Sequence, residues 1–272
     1  MTSPVVAQED SEQTFDRLVE EGQQRLGRSW AGLMSTAILG GTDVGSGAIA
    51  LLVVENQTHS VVLAGLAFSI GFIALTLAHS ELFTEGFLVP VAAVVARRGN
   101  ILALLRLWGM SIIGNLLGGW VLMGIAMAAF PNLRATALEA GKFYIGLGFS
   151  VRAFTLAIIG GFVITLMTHM QHGTDSDGVK LVPAVVMGFL LGAGKLNHAI
   201  VASLLTFAAL HVGAPFGYLD WLKLFVLASA GNMVGGLGLV TLLRLLQVPH
   251  KVKAEREKNP APPTFPGVAS RD

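Results

Sequence analysis

Residues 181–210, LVPAVVMGFLLGAGKLNHAIVASLLTFAAL, are apolar enough to cross a bilayer, yet Gly194, Lys195, Asn197 and His198 interrupt them near the middle. That combination leaves few folds open. In hydrocarbon an unpaired backbone group is costly, so non-helical chain at membrane depth persists only where protein or a water-filled cavity covers it. Ionisable side chains at the same depth carry a cost of their own and by default mark a path for ions or protons. The competing reading of this segment alone is a kinked helix from which Lys195 snorkels to the interface.

The rest of the chain is written in the same style. Of its 272 residues 53% are hydrophobic and 13% charged, against about 25% charged in an average soluble domain. This predicts an all-α membrane protein embedded in a lipid bilayer. A net charge of +1 gives no sign of a nucleic-acid partner, and the absence of cysteine excludes disulfides, thiolate metal sites and cysteine nucleophiles. Residues 1–29 are polar and lack the apolar run of a signal peptide, so they read as a cytosolic tail or surface helix. Apolar stretches at 30–54, 61–96, 101–129, 143–168, 181–210 and 219–247 follow, and a spanning helix needs about 20 residues. They predict six transmembrane spans in one domain, 30–247, with the second and fifth helices broken. Residues 248–272 are polar and contain prolines, which suggests a flexible cytosolic tail. Basic residues concentrate in the tails and in links carrying Arg97, Arg98 and Lys180, while only Arg134, Lys142 and Lys223 fall on the opposite side. That bias places both termini in the cytosol.

An offset of 117 residues lays Gly114-Asn115-Leu116-Leu117-Gly118-Gly119 on Gly231-Asn232-Met233-Val234-Gly235-Gly236 and Gly71-Phe72 on Gly188-Phe189. The same offset puts Glu81 on His198. Three spans per half is an odd number, so the halves are related upside down, an inverted 3+3 repeat of the kind that transport folds use. Asn115 and Asn232 are expected to bond across packed helices.

The first break reads His79-Ser80-Glu81-Leu82-Phe83-Thr84-Glu85-Gly86. Together with the preceding LAGLAFSIGF (63–72), the paired Gly-Asn motifs, the His198 break and Arg106-Leu107-Trp108-Gly109, it resembles the formate/nitrite transporter family, and its YfdC-like branch in particular. The resemblance runs from about residue 30 to 245. It implies a homopentamer of aquaporin-like protomers in a bacterial inner membrane, each passing small monovalent weak-acid anions such as formate, nitrite, acetate or hydrosulfide. It implies no cofactor. By position His198 matches the family's central histidine, Thr84 the threonine facing it, and Phe68, Phe72, Leu82, Phe83 and Leu191 the linings of two apolar constrictions.

The residue types suit that task. Helix starts after each break, near Gly86 and Ala199, favour an anion, and Lys195 and Arg152 are expected to add positive potential. A dry apolar ring opposes a bare anion far more than a neutral acid. Histidine, with an unperturbed pKa near 6.5, is suited to relay the proton that removes that cost. Where the family has a glutamate before the histidine this chain has Asn197, and the asparagine that faces the histidine aligns with Arg152. Both changes make the path more positive, which tightens anion binding, favours another anion, or closes the path through a pair with Glu81 or Asp43. The rival readings are a non-conducting pentameric scaffold and a membrane enzyme using His198 with Glu81. No nucleophile with an orienting partner, metal-ligand set or cofactor motif supports the enzyme. His169, His172, Asp175 and Asp177 fall in one polar link, which is read as a solvated loop and not a metal site.

Overall fold

The structure is a computed structural model that describes residues 4–260. In chain order its helices are α1 (Pro4–Leu26), α2 (Trp30–Thr58), α3 (Val61–Ala78), α4 (Val89–Val95), α5 (Ile101–Ala129) and α6 (Arg134–Gly146). There follow α7 (Val151–His172), α8 (Asp177–Ala193), α9 (Ala199–His211), α10 (Tyr218–Met233), α11 (Leu243–Gln247) and α12 (Pro249–Lys258). A π-helical stretch, Val234–Leu242, joins α10 to α11. No strand occurs among the described residues. Five helices are long and apolar enough to cross a membrane: α2, α3, α5, α7 and the continuous Tyr218–Gln247. Large apolar side chains such as Leu66, Ile70, Ile113, Leu117 and Leu190 stay exposed on the outer surface, as lipid contact requires. The chain is a multi-pass membrane protein.

Helix starts follow side-chain caps. Ser29, Ser60, Asn100 and Ser150 each accept a hydrogen bond from the backbone N–H three residues on, at the starts of α2, α3, α5 and α7. The Ser150 cap fixes one departure from expectation. The apolar stretch at 143–168 is not one helix: α6 ends at Gly146, a turn with Gly148 at φ 54° intervenes, and α7 begins at Val151.

Two segments between helices break the apolar crossings, 79–84 after α3 and 194–198 after α8, and residues 80–84 and 196–198 of them are buried. Both leave the helix through a residue in the left-handed region, His79 at φ 52° and Lys195 at φ 44°. Asparagines satisfy the backbone that the breaks expose. Asn115 of α5 accepts from the Phe83 N–H at 2.9 Å and donates to the carbonyls of Ala37 at 2.7 Å and Glu81 at 2.8 Å. Asn232 of α10 accepts from the Ala199 N–H at 2.8 Å and donates to the carbonyls of Ala157 at 2.7 Å and Asn197 at 3.1 Å. Helix contact is close enough at these points to exclude a side chain: a Cβ on Gly41 would meet the Asn115 carbonyl, and one on Gly161 that of Asn232.

These matched bonds correct the register of the repeat. Asn115 and Asn232 are 117 apart, but Glu81 and Phe83 correspond to Asn197 and Ala199, 116 apart, and Ala37 to Ala157, 120 apart. Glu81 is therefore the counterpart of Asn197, and Leu82 the counterpart of His198.

Both ends of the described chain lie on one face, called here the terminal face. Phe15, Leu18 and Val19 of α1 pack on Leu88, Val89, Ala92 and Ala96 of α4, together with Val248. Residues 249–258, expected as part of a flexible tail, form α12 instead, which α1 holds through Lys251 to Asp16 at 2.6 Å and His250 to Glu12 at 2.8 Å. Arg98 adds a 2.7 Å bridge to Glu255. Residues 261–272 lie outside the described residues.

Asn232→Leu strands one buried N–H and two buried carbonyls, each worth about 1–3 kcal/mol. Its thermal midpoint in detergent is expected to drop well below wild type, whereas Leu117→Ala on the outer surface changes stability by no more than about 0.5 kcal/mol. An unchanged Asn232→Leu midpoint would show that the break is satisfied some other way.

Candidate functional site

The two breaks meet. His198 ends the second one as the N-cap of α9, and its Nδ1 accepts the Val201 N–H at 3.2 Å. Its Nε2 lies 2.7 Å from Thr84 Oγ1 of the first break. An acceptor Nδ1 carries no hydrogen, so the ring in this arrangement is the neutral tautomer with the proton on Nε2. Nε2–H donates to Thr84, which leaves the threonine hydroxyl hydrogen free to donate onward. His198 and Thr84 are both fully buried.

The apolar residues expected at the constrictions are buried in the same core. Phe68 and Phe72 of α3 pack edge to face, with centroids 5.3 Å apart, against Gly188 and Gly192 of α8. Leu82, Phe83 and Leu191 are likewise buried, and Phe83 packs edge to face on Phe87 at 5.0 Å. All five residues expected at constrictions thus belong to the interior core.

The charged residues are placed differently from expectation. Arg152 is exposed and shares its stripe of α7 with exposed Thr155 and Ile159, so it turns away from His198. Helix geometry explains this, because Ala153, one residue and about 100° further round, is the buried neighbour; its carbonyl accepts Asn197 Nδ2 at 3.1 Å. The other side-chain atom of Asn197, Oδ1, is buried without a partner among the described residues. The expected pair of Arg152 with Glu81 or Asp43 does not form, since Glu81 is met by Arg28 and Arg25. The Lys195 ammonium lies 3.3 Å from Glu55 and 5.4 Å from the Phe143 ring centroid. Asp43, expected as a charge partner, makes no ion pair among the described residues, and its Oδ2 is buried without a partner. At the start of α9, Asn232 and His198 take the Ala199 and Val201 N–H groups.

Glu81 is fully buried and bonds to two arginines that the sequence reading used only for orientation. Arg28 meets its carboxylate at 2.8 Å and Arg25 at 3.3 Å. Arg25 also binds Glu21 at 2.5 Å, one helical turn back on α1, and lies 3.8 Å from Glu85. Arg106 of α5 secures the α1–α2 link by donating to the carbonyls of Leu26 at 2.6 Å and Arg28 at 3.0 Å. Burial alone would raise the Glu21 pKa, but the Arg25 and His172 beside it hold its carboxyl well below the usual carboxylate range. A depressed carboxylate stabilises the fold above its unfolded pKa, so this anchorage of α1 weakens as pH falls below the ordinary value of 4.5.

The link read as a solvated loop is partly engaged. His172 bonds to Glu21 at 2.9 Å, Arg17 to Asp175 at 2.5 Å and Lys180 to Asp177 at 3.0 Å. Between this link, α1 and the first break lies a cavity of about 480 Å³, lined among others by Arg25, Glu85 and His172. Arg25, Arg28 and Glu85 are the site residues that sequence reasoning missed. The only hint was the Glu21/Arg25 spacing, which marks a helix face but names no partner.

Because Glu81 has no solvent and Arg28 is its nearest counter-charge, Arg28→Met should cost about 1.5–3 kcal/mol, the worth of a hydrogen bond to a charged group. Glu81→Gln in the same molecule is expected to recover most of that loss in unfolding midpoints. Additive losses in the double variant would mean the two side chains are not coupled.

Comparison with known proteins gives the frame for this geometry. The family model described as formate/nitrite transporter matches residues 12–246. The inner membrane protein YfdC of Escherichia coli (strain K12) is 27% identical over 255 residues, spanning 89% of this chain and 80% of that protein. Among solved structures, an FNT family ion channel superposes with a TM-score of 0.76 at 15% identity, covering 87% of this chain and 99% of the other. A pentameric formate channel with formate bound gives a TM-score of 0.68 at 22% identity, covering 79% and 95%. With the family model spanning both breaks, both asparagines and the His198–Thr84 pair, this chain belongs to the formate/nitrite transporter family.

Proposed function

We propose that the chain is one protomer of a homopentamer in a bacterial inner membrane, and that each protomer passes small monovalent weak-acid anions of the formate or nitrite type. Its fold is read as six crossings in an aquaporin-like inverted repeat. α3 with α4 and α8 with α9 form the two broken crossings, and both termini are cytosolic. The observation that carries the reading is the 2.7 Å contact between Thr84 and His198, a polar pair held between two helix breaks inside an apolar core.

The physics of such a path follows from solvation. Phe68, Phe72, Leu82, Phe83 and Leu191 offer a bare anion nothing in exchange for its water, whereas the neutral acid loses little. The acid form crosses the apolar rings, and the Thr84 hydroxyl, polarised by His198 Nε2–H, bonds its oxygen on the way. His198 thus serves as a fixed donor, not as a carrier of a second proton, because Nδ1 is occupied by its cap. Asn197 holds the second break to Ala153. Lys195, screened by Glu55, contributes a modest positive potential on the far face, and Glu81 is neutralised by Arg25 and Arg28 on the terminal face. The pentameric formate channel of similar fold carries the substrate class and the assembly. Arg152, exposed on the protomer, is assigned no contact with the anion.

Purified protein in proteoliposomes, offered formate, nitrite, acetate and hydrosulfide under an imposed pH gradient, tests the proposal. Wild type is expected to pass at least one of them. Thr84→Ser should keep most of that flux, and Thr84→Val should lower it about tenfold, the factor that corresponds to one hydrogen bond of about 1.4 kcal/mol in the barrier. Absence of flux for every anion would favour the non-conducting scaffold.

A further inference from the structure

We infer that Glu85 is the group through which the path exchanges its proton with the chamber on the terminal face, a role that rests on the weak-acid reading above. Glu85 follows Thr84 directly in the first break. Its side chain is 8% exposed, and it lines the cavity of about 480 Å³. Its carboxylate makes no hydrogen bond among the described residues; its one ionic neighbour is Arg25 at 3.8 Å. Glu81, four residues earlier, is by contrast saturated by Arg28 at 2.8 Å and Arg25 at 3.3 Å. A nearly buried carboxylate with no bonded partner, opening on a chamber one residue from the central threonine, is placed to take and release a proton.

The charges around it do not balance without a titrating group. Glu21, Glu81 and Glu85 share only Arg25 and Arg28, so the cluster is one positive charge short. His172 can supply it. Its Nδ1 faces the Thr168 carbonyl at 2.7 Å and its Nε2 the Glu21 carboxylate at 2.9 Å, two acceptors with nothing to donate, so the ring satisfies both only as imidazolium. Of the three carboxylates, Glu85 has the least to hold its charge, with Arg25 at 3.8 Å as its one ionic neighbour. Of the other charged and titratable groups on the chamber, Arg17 pairs with Asp175 and Lys180 with Asp177, and Glu20 and exposed His79 also line its wall.

The step balances simply. The O–H bond of the neutral acid breaks beside Thr84, and an O–H bond forms on a Glu85 carboxylate oxygen. The anion leaves through the chamber, and Glu85 then returns its proton to chamber water. Inward and outward passage are the same step reversed.

Two measurements on the full-length protein in lipid test this. Infrared difference spectra across a pH titration, with no substrate present, should contain the carbonyl band of a protonated carboxylic acid that Glu85→Gln removes and Arg28→Met leaves in place. In proteoliposomes with a trapped pH dye and formate as probe, Glu85→Gln should slow formate-coupled proton movement about tenfold or more, the scale of a lost acid-base group, and Glu85→Asp should recover much of it. A band that persists in Glu85→Gln, or formate flux with an unchanged pH profile in that variant, would overturn the inference. Should wild type pass no anion at all, the transport reading falls, and the infrared titration alone still decides whether Glu85 is the proton-accepting group.

Discussion

Everything distinctive about this protein depends on satisfying main-chain groups where a helix has been cut open away from water. A helix interior pairs its own N–H and C=O groups, but each break leaves several without partners, and lipid offers none. Asn115 and Asn232 solve the problem with three hydrogen bonds apiece, one accepted from the chain restarting after the break and two donated to carbonyls on either side. The amide is suited to this because it presents an acceptor and two donors on one planar group. Such bonds require close helices, and the absent side chains at Gly41 and Gly161 allow that approach. Packing and polarity are thus one constraint, and it brings the ends of the two breaks together so that Thr84 and His198 touch.

The same constraint limits what His198 can do. As N-cap of α9 it spends Nδ1 on the Val201 N–H, and that single bond chooses the tautomer. The proton therefore sits on the side that faces Thr84. At the start of α9, which the sequence offers as an anion site, the cap and Asn232 take two of the N–H groups, those of Val201 and Ala199. The consequence is a division of labour in the proposed path: polar contact for the passing molecule comes from the Thr84 hydroxyl, while proton exchange is displaced toward the chamber, where titratable side chains meet space.

How much of this was legible in the sequence depended on range. The interruptions at 79–84 and 194–198, the Gly-Asn motifs and the importance of His198 and Thr84 were visible because each is a local violation of an apolar pattern. Register was not, since the linkers differ between halves: one offset of 117 fits the asparagines but misplaces the breaks by one residue and α2 against α7 by three. One residue sufficed to exchange Glu81's true counterpart, Asn197, for His198. Arg152 failed for a related reason, as a step of one position on a helix turns a side chain from the core to the surface. The role of α1 was hidden more deeply. Phe15, Leu18 and Val19 form an apolar stripe that any surface helix could own, and nothing in a linear string says that Arg25 and Arg28, beyond it, end beside a carboxylate some 53 to 56 residues later.

The inequality of the two halves explains why only one face carries such a cover. At equivalent positions after the left-handed residues His79 and Lys195 stand Glu81 and Asn197. A neutral amide can sit buried with one bond to Ala153 and one oxygen unsatisfied, at modest cost. A carboxylate in the same setting cannot, because removing a charge from water without a partner costs several kcal/mol. The terminal face therefore had to bring counter-charges to Glu81, and α1 delivers them by laying its apolar stripe on α4 and its last turn over the break. Far-face charge is settled more simply, by Lys195 reaching Glu55 on α2. α1 is on this account less an appendage than the missing half of a buried ion pair, and any movement that lifts it off must first provide Glu81 with water or a proton.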